Sequence, residues 1–178
     1  MKITKAEWSY TAGIIDGEGC IGSQKNTAAK TYRPYLVVVQ KDMRLVEWLT
    51  SRFGGSANIV TRKRADGKTD YYARWMVVNK RASDVLKGCL PYLVMKHEQA
   101  KLAIQMTDDA LCGTQRGFRA IAPKVYALQE NLHNRIKNLN SPATTERDNS
   151  LTKEMRQSEL ASMIKCQREI RSGFSACN

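Results

Sequence analysis

The sequence predicts an α+β domain in which an antiparallel sheet carries helices, with a core order α-β-β-α-β-β-α and further helices after it. Three observations point there. Apolar residues recur at helical spacing in some segments and at strand spacing in others, and the two kinds alternate along the first 111 residues. Each strand-like pair is separated by only a few turn-forming residues, which permits antiparallel but not parallel pairing. The 178 residues are 42% hydrophobic, enough for one core.

The first helix starts at Thr4, which has Glu7 three residues on as a capping box and Ile3 and Trp8 as a hydrophobic staple. Trp8, Ala12 and Ile15 keep one face apolar, and the helix is expected to end near Asp16. Strands follow over Cys20 to Lys25 and Thr31 to Gln40, the second holding Tyr32, Tyr35, Leu36 and Val37-Val38-Val39. Asp42 is an N-cap for a second helix whose Leu45, Val46, Leu49 and Phe53 share a face, and Gly54-Gly55 stops it. A second hairpin pairs Ala57 to Arg64 with Asp70 to Val78 through a turn containing Asp66-Gly67. Helices over Lys80 to Cys89 and Lys96 to Leu111 flank the breaker Pro91. Pro123 opens another helix with Val125, Leu128, Leu132, Ile136 and Leu139 on one stripe. Residues 140–150 have linker composition, and Leu151 to Arg171 reads as a last helix with Met155, Leu160, Met163, Ile164 and Ile170. The expected organisation is a core over 1–112, an added helix packed on it within 113–140, and a linker with a C-terminal helix over 141–178.

Charge points to the partner. The chain has 29 Lys and Arg against 17 Asp and Glu, a formal net charge of +12, which favours a polyanion and nucleic acid first. Between Ser23 and Arg74 eleven basic residues face four acidic ones, so an excess of seven charges lies on the two hairpins. A two-stranded ribbon fits the major groove of DNA, and a wet sheet face carrying Ser23, Gln24, Lys25, Arg33, Tyr35, Lys41, Arg62, Arg64, Lys68 and Arg74 offers groups for phosphates and base edges. No apolar run approaches the roughly 20 residues of a membrane span, and the start lacks the pattern of a secretory signal. An intracellular location is expected: the cytoplasm or nucleoid of a bacterium or phage-infected cell, or an organelle. Five cysteines without a Cys-x-x-Cys pair, and only His97 and His133 beside them, indicate neither a zinc site nor a disulfide framework. Neither histidine is assigned a role.

The most informative stretch is Thr11-Ala-Gly-Ile-Ile-Asp-Gly-Glu-Gly19, a helix end that runs into Asp16 and Glu18. Carboxylates gain nothing from the negative end of a helix dipole, so a positive partner is expected there, and a hard divalent cation bound through oxygen is one candidate. Ala12 and Gly13 leave room for a second backbone to approach.

This stretch resembles the LAGLIDADG motif of homing endonucleases, and the element order is similar to that family's core with its curved antiparallel sheet. Val38-Val39-Gln40-Lys41 and Leu90-Pro91-Tyr92-Leu93-Val94-Met95-Lys96 also match the single-motif branch, over roughly residues 5–112. The motif's leading apolar position holds Thr11, and its second acid is Glu18 where Asp is commoner. The resemblance implies Glu18 as a direct metal ligand with the Gly17 carbonyl, Asp16 as a lesser one, and Gln40 and Lys96 as catalytic residues ordering the attacking water and offsetting phosphoryl charge. It further implies Mg2+, with Mn2+ or Ca2+ substituting for binding, and an intron-encoded homodimer joined through Ala12 and Gly13. Such an enzyme cuts double-stranded DNA across the minor groove of a long pseudo-palindromic target, with no membrane and no small-molecule cofactor. A non-catalytic binder on the same fold, an intron maturase or a DNA-binding regulator, is the alternative. A basic nucleoprotein component without sequence preference is a third.

Overall fold

The first helix, α1 (Lys5–Glu18), starts as its sequence dictates: the Thr4 Oγ1 accepts from the Glu7 N–H at 3.3 Å and the Glu7 carboxylate accepts from the Thr4 N–H at 2.8 Å. In this computed structural model, which describes residues 2–27, 31–107 and 123–141, α1 runs two residues past the expected end, so Glu18 is its last residue. Gly19 must follow, because a Cβ there would lie 2.7 Å from the Ile15 carbonyl oxygen.

Two strands come next, β1 (Gly19–Asn26) and β2 (Thr31–Gln40), then α2 (Met43–Phe53). Asp42 caps α2 by accepting from the Arg44 N–H at 2.9 Å. Gly55 ends the turn at φ +97°, where a Cβ would meet the Met76 carbonyl at 2.6 Å. The second hairpin is β3 (Ser56–Lys63) and β4 (Thr69–Val78), followed by α3 (Asn79–Cys89), a 3-10 turn at Leu90–Tyr92, α4 (His97–Gln105) and α5 (Pro123–Asn140). The expected 96–111 helix is corrected at its end: α4 stops at Gln105, where the chain tightens so that the Thr107 N–H donates to the Ile104 carbonyl at 3.0 Å; residues 108–111 and the expected C-terminal helix lie outside the described residues.

The sheet is antiparallel throughout, in the order β1-β2-β4-β3. Side chains alternate between faces along a strand, and one face carries Ile21, Leu36, Val38, Trp75 and Val77, all buried beneath the helices. Gly88 lets α3 approach α1, since a Cβ there would lie 2.5 Å from the Trp8 ring. Among the described residues no helix or strand covers the opposite sheet face, the open face, as an antiparallel sheet with one solvated side allows. Among the described residues no helix is long and apolar enough to cross a membrane.

Candidate nucleic-acid interface and active site

The end of α1 has its positive partner, and it is a side chain 80 residues away. The Lys96 Nζ donates to the carbonyls of Ile15 at 2.8 Å and Asp16 at 2.6 Å, the orphan acceptors of a helix C-terminus. In return the Asp16 carboxylate accepts from the Val94 N–H at 2.8 Å and the Lys96 N–H at 2.9 Å. Burial of Asp16 opposes its charged form, but the backbone N–H groups of Val94, Lys96 and Met95, with the Lys96 charge, outweigh it and hold the carboxyl below its ordinary range. The positive partner expected at the helix end is thus supplied, for its carbonyls, by a lysine of the chain itself. Asp16 and Lys96 clamp each other, and both Asp16 oxygens are engaged in joining α1 to the segment before α4.

Glu18 is different. It is exposed and, with Gln40, Lys41, Thr61, Arg62 and Tyr72, lines a cleft of about 530 Å³ on the open side of the sheet. The Gln40 Oε1 accepts from the Lys41 N–H at 2.7 Å, which leaves its amide NH2 as the donor end. The Lys41 ammonium stands 5.7 Å from the centre of the Tyr72 ring, a cation–π arrangement that holds the charge at the cleft. Among the described residues no group of three or more His, Cys, Asp or Glu side chains could hold a metal ion. The donor set still fits Mg2+, which keeps several waters and takes one or two carboxylates together with substrate phosphates. Glu18 is the carboxylate that such an arrangement would use.

The register sorts the expected DNA-facing residues. Gln24 pairs with Arg33 on the open face. Tyr35 lies on the same face over Gly22, where a Cβ would collide with its ring, and burial, followed by neighbouring Cys20, raises its phenol pKa. Arg74 also faces outward, with its Nε donating to the Asn58 Oδ1 at 3.0 Å, and Arg62 stands across from Asp70. Arg64 and Lys68 close the hairpin end through a 2.8 Å backbone bond, and Arg64 lies 3.7 Å from Asp66 and 4.0 Å from Asp70.

Ser23 and Lys25 are on the other side. They share the parity of buried Ile21 and face α5: the Ser23 Oγ is 2.7 Å from the His133 Nδ1, and the Lys25 Nζ is 5.8 Å from the ring centres of Tyr32 and Tyr126. Their expected place on the wet face is corrected; His133, given no role from sequence, is the structural partner of Ser23, and Tyr126 that of Lys25. Ala12 is likewise corrected, because it is fully buried in the protomer's own core. Gly13 is exposed, and a Cβ on it would meet nothing within 4 Å. Thr11 occupies its buried position by donating its hydroxyl to the Glu7 carbonyl at 2.7 Å. Asn58 and Tyr72 went unnoticed in the sequence; the Asp66-Gly67 turn implies the register that sets Asn58 opposite Arg74, so that signal was present.

No protein-family model matches the chain, and no curated protein matches it. Solved structures do. The chain is similar to the homing endonuclease I-CvuI, solved in complex with the I-CreI target in the presence of Mg with the DNA not cleaved, at 25% identity and TM-score 0.59, covering 79% of this chain and 86% of that one. It is similar to the archaeal intron-encoded homing endonuclease I-Vdi141I complexed with DNA at 13% identity and TM-score 0.57, covering 87% and 98%. It also matches the LAGLIDADG homing endonuclease I-GzeII in complex with its DNA target at 19% identity and TM-score 0.51, covering 83% of this chain and 49% of that one. The chain has the LAGLIDADG homing endonuclease fold.

Proposed function

We propose that this chain is a site-specific double-strand DNA endonuclease that acts as a homodimer and uses a divalent metal, Mg2+ by preference, to hydrolyse phosphodiesters across the minor groove of a long pseudo-palindromic target. One observation carries the proposal: the unencumbered carboxylate of Glu18 emerges beside Gln40, Lys41 and Arg62 in a cleft of the basic open face. The likeness to endonucleases solved with DNA supports the substrate class.

In this mechanism Glu18, with the Gly17 carbonyl, would hold the metal, which when bound supplies polarisation of a phosphate oxygen and a lowered pKa for a coordinated water. Gln40 positions the attacking water or a phosphate oxygen through its free amide donors. Lys41 and Arg62 hold the scissile strand by charge. Lys96 fixes the direction in which α1 delivers Glu18, and its ammonium at the helix end adds positive potential where phosphoryl charge develops. A second copy supplies the second Glu18, so that each protomer addresses one strand, with α1 packing on its mate around Gly13 and Gly17.

A non-catalytic binder on the same fold is the second reading, favoured by Lys96, which already neutralises the helix end. A plasmid bearing the target separates the two. Linearisation with magnesium, its arrest by a chelator, and its loss in Glu18→Gln with DNA affinity retained are expected. Magnesium-dependent cutting that survives Glu18→Gln removes Glu18 from the active site, and a monomer on cognate DNA by sedimentation removes the twofold arrangement.

A further inference from the structure

β2 is offset from the strand on one of its sides. β4 pairs with it only from Tyr35 to Gln40, so residues 31–34 have β1 on one side and, among the described residues, no strand on the other. An unpaired N–H on such an edge is costly when buried. The chain deals with both donors that point that way. The Tyr32 N–H donates to the Gln129 Oε1 at 3.1 Å, and residue 34 is a proline, which has no N–H. Gln129 is only 2% exposed, whereas Leu128 beside it is 37% exposed, so α5 turns an amide inward and a leucine outward at this point.

Further bonds from the same helix reach the same arm. The Tyr32 hydroxyl donates to the Glu130 Oε1 at 2.9 Å, the His133 Nδ1 is bonded to Ser23, and the Asn140 Nδ2 donates to the Ile21 carbonyl at 2.7 Å. On the opposite face, one residue along each strand, stand Gln24 and Arg33. A displacement of the Tyr32 backbone moves Arg33 with it, because the two share a peptide unit.

We infer that α5 serves as the missing strand of the β1–β2 arm, and that Gln129 and Glu130 are positioning residues for base recognition by Gln24 and Arg33. The inference rests on the proposed DNA function. It adds a specificity role for side chains that touch no DNA and lie on the far side of the sheet.

The test is binding selection from a duplex library randomised in both half-sites. Arg33→Ala and Arg74→Ala first mark which base pairs belong to each arm. Gln129→Leu and Tyr32→Phe should then cut discrimination about tenfold at the Arg33 pairs while leaving the Arg74 pairs within about twofold of the parent. The salt slope should not change, because no phosphate contact is lost. Glu130→Gln keeps an acceptor for the Tyr32 hydroxyl and should retain the parent's preferences, whereas Glu130→Ala should not. Equal weakening at both arms, or an unchanged profile in variants with parent-like circular dichroism, overturns the inference while the DNA function stands. If Gln129→Leu does not fold, Tyr32→Phe decides on the same criteria. A parent that selects no sequence at all removes both.

Discussion

The two hairpins carry the basic residues of the open face, yet they are held in different ways. The β1–β2 arm is backed by α5 as far as Lys25 and Tyr32, with Tyr32 buried against Tyr126 and His133 at ring separations of 5.6 and 4.8 Å. Among the described residues, the β3–β4 arm is backed only near its base. There Trp75 is fully buried and its Nε1 donates to the Gly54 carbonyl at 2.7 Å. Four residues toward the tip, on the same face of the same strand, Tyr71 is 65% exposed, and nearby Ile59 is 60% exposed. Among the described residues, the tip of that arm rests on its own ladder and its Asp66-Gly67 turn. Sequence alternation alone does not tell a backed arm from a free one, since both have the same period.

Four substitutions break or sharpen this contrast. Trp75→Ala should cost about 3–5 kcal/mol in denaturant unfolding, because it empties the buried base of the β3–β4 arm and orphans the Gly54 carbonyl. Gln129→Leu should cost about 1–3 kcal/mol, the range for a buried donor left without its acceptor, and amide exchange should quicken at Tyr32 but not in β4. Ile59→Thr at the free tip should stay within about 0.5 kcal/mol of the parent. A large loss there would mean that this tip is backed after all.

The smallest effect lies at the joint between the arms. The Arg44 guanidinium first, and then the Arg44 N–H, hold the Asp42 carboxyl down to about 2 from 3.8. A folded-state value below the unfolded one gives stability that is present above the unfolded value and lost as pH falls through the folded one. Asp42→Asn keeps an acceptor for the α2 cap and should flatten the fall of the urea midpoint between those two pH values. An unchanged acid limb would show that the Asp42–Arg44 contact is not maintained in solution.

Much of this molecule was legible because its signals are local. Thr4 with Glu7, Asp42, Gly54-Gly55 and Asp66-Gly67 each act on the backbone within a few residues, and each sits where the structure has a cap, a stop or a turn. Glu18 and Gln40, which the family resemblance named together, line one cleft. Where expectation failed, the cause was a choice between two equivalent faces. Ser23 and Lys25 have the composition of a wet face, but α5 covers their side of β1. On α5 itself, apolar spacing selects Leu128 and Leu139, yet these are exposed and Gln129 is buried, because the edge of β2 needs an acceptor more than the core needs another leucine.

By itself, then, the sequence determined the order of helices and strands, their limits to within a residue or two at most ends, the basic character of the hairpins and the carboxylates at the end of α1. Periodicity, capping and turn chemistry are short-range, and the chain expresses them wherever it folds. Only the tertiary structure decided that Lys96 neutralises the end of α1, that Asp16 is engaged in a clamp while Glu18 stays free, and that one arm of the sheet is braced by α5. Those outcomes depend on which distant groups meet. A donor, an acceptor or an apolar face is satisfied by any partner of the right chemistry, and packing selects the one that leaves the fewest buried groups unpaired.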